Sequence, residues 1–244
     1  MGTYDLGPSD CNRLYMIRVV QSNFFEEDGV TTTKIGAGGF WGIMGSNRCK
    51  NLTYEECTLS RFDAHQGTYN AKILNSNVGA ITIIGGGTFE LIGSKVYTQG
   101  SSLITLREDY GSTWNGDMFI KDTEMVMPAS FSGNAVSILN AFWNESELNS
   151  PGDKSLCDGK HDFGYDCYMP KSVVLDNFTV SAASVKNINL VSGSAYNTHE
   201  GNTANKHFVT EYYEIIGKKP SYNYNDPRQR YKNLTFVIDG VEQI

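Results

Sequence analysis

Apolar and polar residues alternate along this chain in short runs that stop at turn-prone positions, and one such run recurs. The stretches N-L-T-Y-E-E-C-T-L (Asn51 to Leu59), N-A-K-I-L-N-S-N-V (Asn70 to Val78), T-F-E-L-I-G-S-K-V (Thr88 to Val96), D-M-F-I-K-D-T-E-M (Asp117 to Met125) and S-V-V-L-D-N-F-T-V (Ser172 to Val180) share one plan. Two inward positions spaced two apart predict a strand, because successive side chains of a strand point to opposite faces. The sixth position reads Glu56, Asn75, Gly93, Asp122 and Asn177, mostly residues that tolerate a left-handed backbone, so a turn is expected there. Directly after it comes a series of Cys57, Ser76, Ser94, Thr123 and Phe178. The first two steps between copies are 19 and 18 residues and later ones 29 and 55, as for equal units separated by inserted loops. A weaker copy, N-L-T-F-V-I-D-G-V from Asn233 to Val241, closes the chain.

A second strand repeats alongside the first. Trp41-Gly42-Ile43, Phe62-Asp63-Ala64, Ile81-Thr82-Ile83 and Ile104-Thr105-Leu106 fall at steps of 21, 19 and 23 residues, with Val136-Ser137-Ile138 and Ile188-Asn189-Leu190 continuing the series. Two strands per unit, turning the same way about every 20 residues, predict an all-β solenoid in which each coil pairs with the next. A β-sandwich with chance similarity between strands is the alternative, and the common spacing of both series weighs against it. The expected organisation is a single domain over residues 1 to 244, with coils from about residue 12 and an inserted loop at about 143–170. A fragment of a longer chain stays open.

The coil length, the x-N-[IL]-x-[IL]-x-[ND]-[CS] flavour of each copy and the polar turn resemble the right-handed parallel β-helix of the pectate-lyase-like superfamily. Within it, the chain is similar to phage tail-spike and appendage proteins and to secreted carbohydrate-active relatives, over residues 12 to 244. The resemblance implies a right-handed, single-stranded parallel β-helix that binds or cuts a polysaccharide or cell-surface glycan along a solvent-facing groove. It further implies a homotrimer and an extracellular or virion-surface location. No motif asks for a cofactor, and only calcium is left open.

In that frame the outer face of the second strand carries Gly42, Asp63, Thr82, Thr105, Ser137 and Asn189, and two residues further on Met44, His65, Ile84, Arg107, Leu139 and Val191. Strands stack about 4.8 Å apart, so His65 and Arg107, two coils apart, are expected roughly 10 Å from each other. Arg61 and Asp63 share parity with His65. The loop L-R-E-D-Y-G-S-T-W-N-G-D (Leu106 to Asp117) adds Glu108, Asp109, Tyr110 and Trp114. Glycoside hydrolysis needs two carboxylates flanking the bond, which Asp63 with Glu108 or Asp109 could supply. Elimination from a uronic acid needs a base and a cation, for which His65 and Arg107 are candidates. Arg61, Gln66, Tyr110 and Trp114 are candidate substrate-binding residues, since sugars are held by aromatic faces and by groups that bond hydroxyls in pairs. Bland readings stand beside these: Arg107 bridging Glu108 or Asp63, and Trp114 capping a coil edge. The order N-T-D, D-D, G-H-G, R-I-K of the polygalacturonases is missing, as is the calcium cradle with an R-x-P-x-x-R-like arginine of the pectate lyases. Polysaccharide lyase, glycoside hydrolase and a non-catalytic structural or adhesin segment of a fibre or tail spike therefore all remain open.

Composition narrows the partners. A net charge of −7 and a pI near 5.1 argue against nucleic acid and anionic lipid, which are held by surplus Lys and Arg. No run of about 18 apolar residues predicts a membrane span, and the first residues lack the basic and apolar regions of a signal peptide. Among five cysteines, Cys57 is expected as an inert core thiol. Cys157 and Cys167 could close a disulfide or, with His161 and Asp162, hold a metal, although C-x3-H-x5-C fits no zinc pattern. I-G-G-G-T (Ile84 to Thr88) lacks a lysine and a following helix, so it reads as a tight turn rather than a phosphate cradle. Tyr212, Tyr213, Tyr222, Tyr224 and Tyr231 would serve binding or a subunit contact.

Overall fold

A computed structural model describes residues 12–19, 45–98, 100–106, 114–141, 167–192, 207–208, 210–217, 223–224 and 234–243. Among the described residues there is no helix, and 17 strands join one sheet in which all pairings but one are parallel. This order is compatible with a solenoid. The exception is the terminal hairpin, Thr235–Ile238 against Val241–Glu242. A separate parallel pair joins Cys167–Tyr168 to His207–Phe208.

The first repeat of the sequence becomes a row of strands that lead into the turn. Leu14–Ile17, Lys50–Glu55, the end of Thr58–Leu74, the end of Asn77–Ile92, Trp114–Lys121, Ser172–Asp176, Tyr212–Ile216 and Thr235–Ile238 pair in that order. The register is continuous: Leu52, Ala71, Phe89, Met118, Val173, Tyr213 and Phe236 stand level, as do Tyr54, Ile73, Leu91, Ile120, Leu175 and Ile215. Both columns are buried, which is why the period-2 pattern is so regular. Ala71 sits between Leu52 and Phe89, and the small side chain fits a core crowded by rings. Tyr54 meets Phe62 edge-on at 5.3 Å between centroids, and Phe89 meets Trp114 edge-on at 5.8 Å. Both are favoured geometries for aromatic pairs.

The expected turn is present at every copy. Glu56, Asn75, Asp122 and Asn177 have φ of 52°, 48°, 48° and 55°, Gly93 has 62°, and Arg18 extends the series at the front with 54°. Each left-handed residue donates its backbone N–H to the carbonyl before the next turn: Glu56 to Leu74, Asn75 to Ile92, Gly93 to Lys121, Asp122 to Asp176 and Asn177 to Ile216, at 2.8–3.0 Å. Just inside, the Cys57, Ser76 and Ser94 series forms its own ladder. Ser76 Oγ accepts from Cys57 N at 3.0 Å and donates to Leu74 O at 2.6 Å, and Ser94 Oγ accepts from Ser76 N at 3.1 Å. These hydroxyls satisfy backbone groups that the turn would otherwise bury unpaired. Cys57 is a buried free thiol, as expected, and burial pushes its pKa up.

Short strands after the turn, Lys95–Tyr97, Glu124–Val126 and Thr179–Val180, lead to the second repeat. There, Phe62, Asp63 and Ala64 stand level with Ile81, Thr82 and Ile83, and Thr82 and Ile83 with Thr105 and Leu106, as expected. Two registers differ from the sequence reading by three residues. Asp63 faces Gly45 rather than Gly42, and Ile104 and Thr105 face Leu139 and Asn140 rather than Val136 and Ser137. Alternation cannot set the phase in either place. The first lies after a run in which glycines interrupt the alternation, I-G-A-G-G-F-W-G-I-M-G from Ile35 to Gly45, and in the second Val136, Ser137, Ile138 and Leu139 are all buried in succession. Val136 and Ser137 do face Ile188 and Asn189.

The glycines of Ile84 to Thr88 lie within the strand Asn77–Ile92 at its bend, φ being 148° at Gly85 and 79° at Gly87. A Cβ on Gly85 would sit 2.0 Å from Thr68 O, and one on Gly87 2.2 Å from Asn70 Oδ1. Only a bare backbone fits at these bends.

The turn ladder generates a stability prediction. Asn75→Gly should be close to neutral and Asn75→Val should lose about 1–2 kcal/mol, because a β-branched residue resists the left-handed conformation. Denaturant titration of the three proteins checks it; equal midpoints would contradict the reading.

Candidate functional site

Of the residues nominated by sequence, Arg61 and Asp63 are brought together. Both lie on Thr58–Leu74, two apart on one side of the strand, and a guanidinium nitrogen reaches the carboxylate at 2.6 Å. The Asp63 side chain is 3% exposed and that of Arg61 18%. This corrects the expectation that Asp63 faces solvent. Its neighbours on the adjoining strands, Gly45 and Thr82, are small, so the longer Arg61 can fold against it, and a charge in that position is tolerable only because it is paired.

The two next candidates, His65 and Gln66, sit where the strand is irregular. Ala64 faces Ile83 but Thr68 faces Gly85, so two extra residues are accommodated between them. His65 keeps its pairing with Asn47 and has none with the following strand. Simple parity therefore stops at Ala64, as is usual at a bulge, where the chain re-aims its side chains. The side chains of His65 and Gln66 lie outside the described residues, and so do Arg107, Glu108, Asp109 and Tyr110. So also do Cys157, His161 and Asp162, and the side chain of Cys167. Among the described residues no cluster of His, Cys, Asp and Glu could hold a metal.

Trp114 is a correction. Its side chain is fully buried, its indole N–H donates to Gly87 O at 3.2 Å, and its ring packs on Phe89. In this position the indole is part of the core and offers no face to a sugar. The glycine at position 87, which leaves its carbonyl within reach, was visible in the sequence; its role as Trp114's partner was not.

The sequence reading passed over the outer side of the turn-leading strands, where the structure has an open groove of about 500 Å³ lined by Arg13, Leu14, Tyr15, Asn51, Leu52, Thr53, Asn70, Lys72, Thr88 and Glu90. These residues come from four successive levels. Tyr15, Thr53, Lys72, Glu90 and Phe119 are level with one another in one outward column. Tyr15 is 55% exposed and Phe119 41%, and Tyr69, at the bend beside the groove, 50%. Between the aromatic ends, Lys72 Nζ bonds Glu90 Oε1 at 2.7 Å. The Tyr15 hydroxyl donates to the Glu55 carboxylate, a bond that holds the phenol above its ordinary pKa.

One wall of the groove is an amide ladder. Asn51 and Asn70 both have left-handed backbones, with φ of 56° and 60°. Asn51 Nδ2 donates to Asn12 O at 3.1 Å, Asn70 Nδ2 to Asn51 Oδ1 at 2.9 Å, and Thr88 N to Asn70 Oδ1 at 2.9 Å. The ladder fixes the groove edge before any ligand arrives. Chemically, this face combines exposed rings, a hydroxyl, a cation and a carboxylate on a rigid sheet.

No protein-family model matches the chain, and no solved structure matches it. Over 131 residues, covering 47% of this chain, it is 28% identical to a capsule KL64-specific depolymerase of Klebsiella phage P510. The aligned stretch is 13% of that protein's length.

The buried pair makes its own prediction. Arg61→Ala takes the guanidinium away from a buried carboxylate and should destabilise by about 3 kcal/mol, whereas the double change Arg61→Met, Asp63→Leu should recover most of the loss. Thermal unfolding of the three proteins decides; a single variant as stable as the parent would show that the pair is not buried in solution.

Proposed function

We propose that the chain is a polysaccharide-recognising right-handed parallel β-helix of the tail-spike type, located at the virion surface, and that it depolymerises a cell-surface glycan of the capsular kind. The observation that carries the reading is the similarity to a phage capsule depolymerase over a stretch of 131 residues. The stacked parallel levels support it, because they offer the extended, rigid surface that a polymer substrate requires. Fold by itself does not carry function, and here the two lines agree.

The proposed cutting set is Asp63, His65, Arg107, Glu108 and Asp109, with Arg61, Gln66 and Tyr110 beside it. Hydrolysis would use two of the carboxylates, one protonating the leaving oxygen while the other activates water or attacks the sugar. Elimination would use His65 as base and Arg107 to neutralise the uronate. The assembly proposed is a homotrimer.

A second reading, gripping without cutting, is favoured by one pair of observations. Asp63 is held out of solvent in its ion pair, and Trp114 lies in the core. Both were members of the sequence-nominated set.

Incubation with purified capsular polysaccharides, type KL64 among them, separates the two. Depolymerisation predicts new reducing ends or ultraviolet-absorbing unsaturated products, reduced at least about a hundredfold in Arg107→Ala and Asp63→Asn. Wild-type retention on the glycan without products supports the second reading, and equal product formation by both variants removes the proposed set.

A further inference from the structure

The groove on the turn-leading strands lies away from the Arg61 and Asp63 pair, and neither of these two is among its described lining residues. We infer that it is the glycan-holding subsite, taking a short segment of a polysaccharide whose hydroxyls bond Thr53, Lys72 and Glu90 and whose sugar rings lie against Tyr15 in the groove and against Phe119, one level beyond its lining. This rests on the polysaccharide reading above and names where the chain is gripped.

Three features of the face point to a sugar chain rather than to a protein or a small apolar ligand. First, the column Tyr15, Thr53, Lys72, Glu90, Phe119 places an aromatic ring at each end of a polar stretch. Four strand spacings separate the rings, about 19 Å at about 4.8 Å per level. That is the length of a few linked sugars, and the arrangement matches their chemistry, in which apolar C–H faces alternate with hydroxyl edges. A protein interface of this size would instead be expected to have an apolar centre and a polar rim. Here the order is reversed.

Second, the polar groups are held in place. Lys72 and Glu90 bond each other at 2.7 Å with side chains 45% and 22% exposed, so the ammonium and the carboxylate each keep capacity facing the groove. A sugar diol, as donor and acceptor at once, can bond both members of such a pair. Third, the groove wall is built before binding. The amide ladder fixes Asn51 and Asn70, and bare Gly87 lets Asn70 Oδ1 accept from Thr88 N while Tyr69 stays on the surface. Sites assembled on rigid strands lose little freedom when a ligand is captured. The bend at residues 65–67 lies only a few residues before Tyr69 and Asn70.

The test is affinity electrophoresis through gels holding purified capsular polysaccharides, type KL64 among them. The wild type is compared with Tyr15→Ala, Phe119→Ala and Lys72→Ala, with Lys95→Ala as the control. Lys95 pairs with Glu124 at 3.2 Å on the strands that follow the turn, outside the groove. All are surface changes whose folding is confirmed by unchanged thermal midpoints. The expected result is retention of wild type and Lys95→Ala, with each groove variant weakened about fivefold or more. Wild-type retention shared equally by the groove variants overturns this inference and leaves the polysaccharide reading standing. No retention of the wild type on any glycan overturns both. A groove variant that instead shifts the oligomeric state, seen by light scattering, makes this face a subunit contact and also overturns the inference.

Discussion

Everything in this structure depends on a backbone constraint: at the end of each turn-leading strand one residue must adopt a left-handed conformation and pass its N–H to the level beyond. The bonds from Glu56, Asn75, Gly93, Asp122 and Asn177 repeat this at five successive levels, at nearly one distance. A residue that refused the conformation would cost about 1–2 kcal/mol locally, but the larger effect would be on register. Once the turn is fixed, the next strand starts in phase, its apolar pair falls on the interior, and the hydroxyl ladder of Ser76 and Ser94 finds its backbone partners. The fold is therefore additive, each level resting on the one before, as stacked-repeat proteins generally are.

That constraint is also what made the fold legible in the sequence. Asn, Asp and Gly at one fixed position between alternating apolar pairs are a direct trace of a left-handed turn, and the inward Leu52, Ala71, Phe89 column follows from the same count. Legibility failed where side chains stopped alternating. Four consecutive buried residues at Val136 to Leu139 allow several phases, and the two extra residues at the bulge after Ala64 break the parity on which the placing of His65 relied. An insertion leaves no mark in periodicity unless it is followed by an unmistakable copy of the motif.

The candidate site was read less well, for a physical reason. Charges attract attention in a sequence, yet charge does not reveal exposure. Asp63 looked available because its neighbours Phe62 and Ala64 point inward, but Arg61 folds against it and its carboxylate leaves the solvent. Trp114 looked like a sugar platform, yet its ring fits the core above Phe89. The groove residues Tyr15, Thr53, Lys72 and Glu90, in contrast, are ordinary in composition and far apart in sequence. Their meaning lies in being level with one another, and that relation exists only after the strands are paired. The outward positions of the first repeat were available for the same reading as those of the second, and the absence of a compact charged motif is what hid them.

The structure thus offers, beside the bend, a preformed groove with rings and hydrogen-bonding groups held on stacked strands. The most direct measurement of the central claim is hydroxyl-radical footprinting with and without capsular polysaccharide. The account predicts that oxidation of Tyr15, Phe119 and Tyr69, all substantially exposed in the free protein, falls when the glycan is added. Unchanged oxidation of these three rings under conditions where the glycan is demonstrably bound would contradict it.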